Sequence, residues 1–121
     1  MSKDFFQIKN IMYPRTINSE YIKTYGNLND ELRKLIEVSG YKAPFAKKYF
    51  KALRFLEKLK MNCTEHKKIF EQLDEYLYSI KLIGEKNIRV IFAFFNYNNK
   101  EIVVLLNCFQ EKAKANKKTK E

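Results

Sequence analysis

Three side chains able to handle a phosphodiester, Lys81, Arg89 and Asn107, each interrupt an apolar run in the last third of the chain. The runs are LYSIKLI (77–83), IRVIFAFF (88–95) and EIVVLLNCF (101–109). All three numbers are odd. If each hairpin pairs residues of equal parity, the three side chains share one sheet face, and a slip of one residue would undo that. RNA carries its own nucleophile, the 2′-OH. A protein that cuts it without metal must hold that hydroxyl in line, stabilise the charged phosphorane and protonate the leaving 5′-oxygen. Arg and Lys suit the second task, and a lysine depressed by neighbouring cations, or a tyrosine, can share the proton transfers. Alternatively, Lys81 and Arg89 sit at sheet ends and snorkel to water.

Other chemistry is sparse. His66 is the only histidine, so zinc sites built from several His and Cys fall away, as does a serine triad, for which there is no GxSxG elbow. Gly26, Gly40 and Gly84 are isolated, too scattered for a dinucleotide fingerprint or a phosphate loop. Cys63 and Cys108 form no CxxC pair and read as reduced thiols. No organic cofactor or metal is expected. The formal charge of +10 over 121 residues points instead to a polyanion, with nucleic acid ahead of an acidic protein or an anionic membrane. A lysine-rich composition that only aids solubility is the plain alternative. No apolar run approaches the roughly 20 residues that span a bilayer, and the N-terminus has no signal-peptide core. We therefore expect a soluble cytoplasmic protein.

The length suits one domain with one core. Residues 4–12 suggest a first strand with Phe6, Ile8 and Met12 on one face, ended by Pro14. Residues 15–27 show no clear period and read as irregular. A helix is expected over Asn29–Val38, capped by Asn29, with Asp30 and Glu31 at the positive end of its dipole and Leu32, Leu35 and Ile36 as its apolar stripe. Ser39–Gly40 would close it. From Pro44 a second helix carries Phe45, Tyr49, Leu53, Leu56 and Leu59 inward, with Lys47, Lys48, Lys51, Arg54 and Lys58 elsewhere. Met61–Cys63 breaks it. Thr64 would then cap a third helix, with Ile69, Leu73, Tyr76 and Leu77 inward, and the second and third helices would form a hairpin. The period then changes to that of strands. Turns at 84–87 and 96–99 make a three-stranded meander with Ile88–Phe95 in the centre. His66 should be exposed. Residues 110–121 form a basic tail, its tip expected to be disordered. The fold class is thus α+β, a helical hairpin on a small, mainly antiparallel sheet.

The order LYSIKLIGEKNIRVIFAFFNYNNKEIVVLLNCFQEKAKA resembles the C-terminal half of RelE/ParE-superfamily toxins, closest to the HigB-like and phage-derived branch, and the match covers roughly residues 44–114. Leu77–Lys81 stands where that branch reads "yELR", and Asn87-Ile88-Arg89-Val90 where it reads "yRv". Ile102–Phe109 stands for "ivlLhgF", and Gln110-Glu111-Lys112 for the basic "xKK". Lys81 replaces the family's arginine, Asn107 its histidine, Cys108 its glycine and Glu111 one lysine. The resemblance implies a RelE-like domain over residues 1–121. It would be the toxin of a type II toxin–antitoxin system, a metal-independent endoribonuclease that cleaves mRNA on the ribosome. Lys81, Arg89 and Lys112 would be catalytic, and Lys86, Asn107, Phe109 and Lys114 would bind RNA. The partner implied is a cognate antitoxin, often a helix-turn-helix protein. On the same scaffold a ParE-type gyrase inhibitor, or a non-catalytic nucleic-acid-binding relative, is the alternative.

Overall fold

Two asparagines in the left-handed region, Asn98 (φ 52°) and Asn99 (φ 63°), fold the C-terminal strands back on each other. Positive φ at both central positions defines the two-residue hairpin turn whose twist matches its strands. The computed structural model describes residues 7–37, 42–84 and 87–111. Along the chain run β1 (Ile8–Lys9), β2 (Ile22–Tyr25), α1 (Leu28–Glu37), α2 (Lys42–Leu59), β3 (Phe70–Gln72), β4 (Tyr78–Leu82), β5 (Ile88–Tyr97) and β6 (Lys100–Gln110). The strands make one sheet in the order β1-β2-β6-β5-β4-β3. From β3 to β6 it is an antiparallel meander, and β2 closes it by pairing parallel to β6. The protein is α+β, with two α-helices and a six-stranded mixed open sheet among the described residues.

Alternation assigns the two sheet faces. Ile80, Leu82, Ile88, Val90, Phe92, Val103 and Leu105 join Ile22 and Phe70 in the core, together with the helix residues Leu32, Ile36, Phe45, Tyr49 and Leu56. Both helices therefore cover the same face. On α2 the inward set recurs at helical spacing, while Lys47, Lys48, Lys51, Arg54 and Lys58 are exposed, as their positions on the barrel require. Lys48 also donates from Nζ to the Ile83 carbonyl just past β4.

Several expectations are corrected. No third helix forms. A 3-10 turn spans Lys60–Glu65, β3 follows, and Phe70 pairs with Ile80 across to β4. Leu73 and Tyr76 are exposed. The reason lies in Asp74: its carboxylate accepts from the Tyr76 and Leu77 amides at 2.8 Å, and Leu73 N–H reaches the Leu77 carbonyl. This Asx turn outcompetes a helix whose apolar period was apparent only. The helix pair is thus α1 and α2, and the meander has four strands rather than three. Residues 15–27 are not wholly irregular, since they contain β2, where Ile22 and Thr24 are buried. Met12 points outward, and its neighbour Ile11 is in the core, bridged to Ile17. Asn29 does not cap α1; the Asn27 carbonyl accepts the first helical amide, from Glu31. His66 is half-buried, its ring 4.5 Å from that of Phe55. Phe6, Val38, Ser39, Gly40 and the tail beyond Glu111 lie outside the described residues.

Candidate functional site

Register places the phosphate-handling side chains. Lys81 lies directly opposite Arg89, and Arg89 directly opposite Phe109. The next row along the sheet is Glu71, Ser79, Ile91 and Asn107. Directly paired antiparallel residues share a face, so Lys81, Arg89, Asn107 and Phe109 all stand on the face opposite the helices. The equal-parity expectation holds here only because β6 is irregular: the turn pairs Tyr97 with Lys100, residues of opposite parity. Between Ile91↔Asn107 and Phe92↔Leu105 the register shifts, Leu106 is the extra residue, and the parity of β6 changes. Lys86, Lys112 and Lys114 lie outside the described residues.

Arg89 is the hinge of this cluster. Only 19% of its side chain is exposed. Its Nη1 donates to Glu71 Oε1 at 2.7 Å and to Ser79 Oγ at 3.2 Å. On the other side, Nε and Nη2 reach the two carboxylate oxygens of Glu111 at 3.4 and 3.3 Å, a fork-on-fork contact. Two carboxylates on one guanidinium leave the cluster negative until Lys81 is counted. Glu71 and Glu111 are the residues that sequence reasoning missed. Glu71 was hidden inside the expected third helix, and Glu111 stood only as a departure from a basic motif. The signal for Glu111 was its position: two residues after Arg89's partner Phe109, just past the end of the same strand.

Such a constellation offers a cation for a phosphate, a carboxylate able to accept a proton, an ammonium able to give one, and an exposed ring, Phe109, for a base. Elsewhere the shifted groups all favour their neutral forms. Burial raises the phenols of Tyr13, Tyr21 and Tyr49, with Glu37 adding to the first and Glu101 to the second, which makes them poor bases. None of them belongs to the Lys81–Arg89 rows. Among the described residues, no group of three or more His, Cys, Asp or Glu is placed to hold a metal, and no helix is long and apolar enough to cross a membrane.

Both cysteines are free. Burial pushes the Cys63 thiol up to about 11 and the Cys108 thiol up to about 12, the latter helped by Glu31. Thiolate is the reactive form, so neither should react with a disulfide reagent at pH 8 until the protein is unfolded. The same shifts set an alkaline limit. In the unfolded chain these thiols ionise near 9, whereas the folded protein holds their protons longer. Their stabilising contribution is complete below about pH 9 and is lost as pH rises through 11 and 12. Urea midpoints should be flat from pH 7 to 8.5 and fall by pH 10.5. A midpoint that rises over that interval would contradict the burial of these thiols.

No family model, curated protein or solved structure matches the chain.

Proposed function

We propose that the protein is a toxin of the RelE/ParE kind, a metal-independent endoribonuclease that cleaves mRNA on the ribosome and is neutralised by a cognate antitoxin. One observation carries this: Lys81 and Arg89 are direct cross-strand partners on the uncovered sheet face, with two carboxylates in contact with the guanidinium. The net charge of +10 suits a partner built of phosphates.

The groups present suffice for transesterification. Glu71 or Glu111 accepts the proton of the 2′-OH as that oxygen attacks phosphorus. Arg89, released from that carboxylate, stabilises the charge gathering on the phosphorane oxygens. The bond to the 5′-oxygen breaks, and the Lys81 ammonium supplies the proton that oxygen needs. The products are a 2′,3′-cyclic phosphate and a 5′-hydroxyl, and solvent then takes the proton from the glutamic acid and gives one back to Lys81. Phe109 offers a face to a neighbouring base.

The experiment pairs cleavage with binding. Purified protein should generate 5′-hydroxyl and 2′,3′-cyclic phosphate ends on ribosome-bound mRNA, and expression without antitoxin should arrest growth. Intact mRNA and normal growth would end the proposal, and a gyrase supercoiling assay run beside it tests the ParE-type alternative. One observation favours a second reading, a non-catalytic RNA-binding relative: Arg89 is already neutralised by two carboxylates. Glu71→Gln and Glu111→Gln separate the two. In the enzyme, removing both carboxylates strengthens RNA binding and slows cleavage at least ~100-fold. In a binding module, affinity rises and no cleavage exists to lose.

A further inference from the structure

The uncovered face has a second end, beyond the bulge at Leu106. There β5 and β6 present Phe95, Tyr97, Ile102 and Val104, and β2 adds Lys23 and Tyr25. Tyr25, Phe95 and Tyr97 are 36–46% exposed, unusual for large rings. They line a cleft of about 320 Å³ floored by Ile102, Val104 and Leu106. Beside it runs a groove of about 630 Å³ lined by Lys9, Lys23 and Lys100, with Glu20 the one carboxylate among its described lining residues. The two concavities share Ile8, Tyr97 and Ile102. Lys23 Nζ donates to the neutral Asn10 side chain at 2.8 Å. Among the described residues none of the three lysines is in an ion pair. Arg89, by contrast, is paired with two carboxylates.

We propose that this end of the sheet is a separate subsite for single-stranded RNA, in which Tyr25, Phe95 and Tyr97 stack unpaired bases while Lys23 and Lys100 hold the adjoining phosphates. The inference rests on the RNA-directed reading above and extends it to substrate length and strandedness. Exposed rings next to a cationic groove are the pairing that binds single strands without sequence preference. The core of a protein interface would instead be depleted of charge. Along β5 the seven residues from Arg89 to Phe95 span about 20 Å, so a strand of a few nucleotides can touch both ends. The Arg89 cluster then sets where the backbone is handled, and the distal rings set how long the strand must be. Very short substrates, and duplexes whose bases are already stacked, bind poorly.

The test uses the full chain and a non-cleavable RNA of roughly 12 nucleotides carrying 2′-O-methyl groups, a length within known single-strand site sizes. Its affinity is measured by fluorescence anisotropy across a salt series. Phe95→Ala with Tyr97→Ala should weaken binding roughly tenfold or more, while Phe95→Tyr and Tyr97→Phe, which keep the rings, retain parental affinity. Lys23→Gln and Lys100→Gln should each flatten the salt dependence by about 0.7 in log–log slope, as expected for one lost phosphate contact on a single strand. Circular dichroism confirms that each variant is folded. If the ring-free double variant binds like the parent while cleavage elsewhere is intact, the subsite is wrong and the ribonuclease stands. Equal affinity for duplex and single strand also overturns it, as does an affinity loss with a purified protein partner but not with RNA. If the parent binds no RNA at all, both proposals fall together.

Discussion

Arg89→Ala should lower RNA cleavage at least ~100-fold, the loss typical of removing one preorganised donor from a developing oxyanion, while leaving the fold intact. The guanidinium ties the two rows of the face together. It stands between Lys81 and Phe109 in its own row and reaches Ser79 and Glu71 in the next. Its removal takes away the charge that would face the phosphorane and releases both carboxylates, whose net negative charge then repels RNA. Stability should change little, on the order of 1 kcal/mol, because Glu71 and Glu111 are 46% and 32% exposed and water can solvate what the arginine leaves behind. Arg89→Lys is the informative companion. It keeps the charge but not the fork that grips Glu111, so it should fall between parent and alanine variant rather than match the parent. Single-turnover cleavage of ribosome-bound mRNA, with melting curves on the same samples, measures both quantities. An alanine variant that cuts at the parental rate would remove Arg89 from the chemistry altogether.

Parity was legible in this site only in part. IRVIFAFF and EIVVLLNCF are strongly strand-forming, but the asparagine turn pairs Tyr97 with Lys100, residues of opposite parity, and the bulge at Leu106, which no sequence pattern announces, brings Asn107 onto the face of Lys81 and Arg89. Helix α2 was legible, its apolar period being long and uninterrupted. The errors arose where a short segment depends on distant partners. β2 is four residues, IKTY, with a threonine in an inward position, and it is a strand because β6 lies beside it some eighty residues later. Thr24 tolerates full burial since its hydroxyl reaches the carbonyls of Lys9 and Asn10 at 3.2 Å. β3 is three residues and exists because Asp74 turns the chain back onto β4. Local periodicity holds no information on either event. Glu71 was invisible for the same reason: its neighbour Ser79 is set by a hairpin read as a helix.

Asn29→Ala should cost roughly 2–4 kcal/mol and lower the melting temperature by about 10 °C, an effect out of proportion to a residue that sequence alone takes for a helix cap. Its amide is buried and fully engaged. Oδ1 accepts from the backbone N–H of Met12 at 2.8 Å and of Tyr13 at 3.2 Å, and Nδ2 donates to the Asn10 carbonyl at 3.3 Å and to Thr24 Oγ1 at 3.2 Å. One side chain thus satisfies the irregular segment after β1, the buried hydroxyl of β2 and, through its own backbone, the first turn of α1. Alanine strands two amide donors where water has little access, and the penalty for such groups exceeds the net value of the bonds that are lost. Asn29→Asp keeps the acceptor for Met12 and Tyr13, but it turns a carboxylate toward the Asn10 carbonyl in a buried site and should not restore stability. The effect is also directional. β1 and β2 carry Ile8, Lys23 and Tyr25, whereas Lys81, Arg89 and Phe109 belong to β4, β5 and β6, which the meander holds independently. At a temperature where the variant is still folded, amide hydrogen exchange should therefore accelerate in residues 8–25 and stay slow in 88–97. Uniform acceleration across both, or none in either, would mean that Asn29 is not the tie that fastens the N-terminal edge to the sheet.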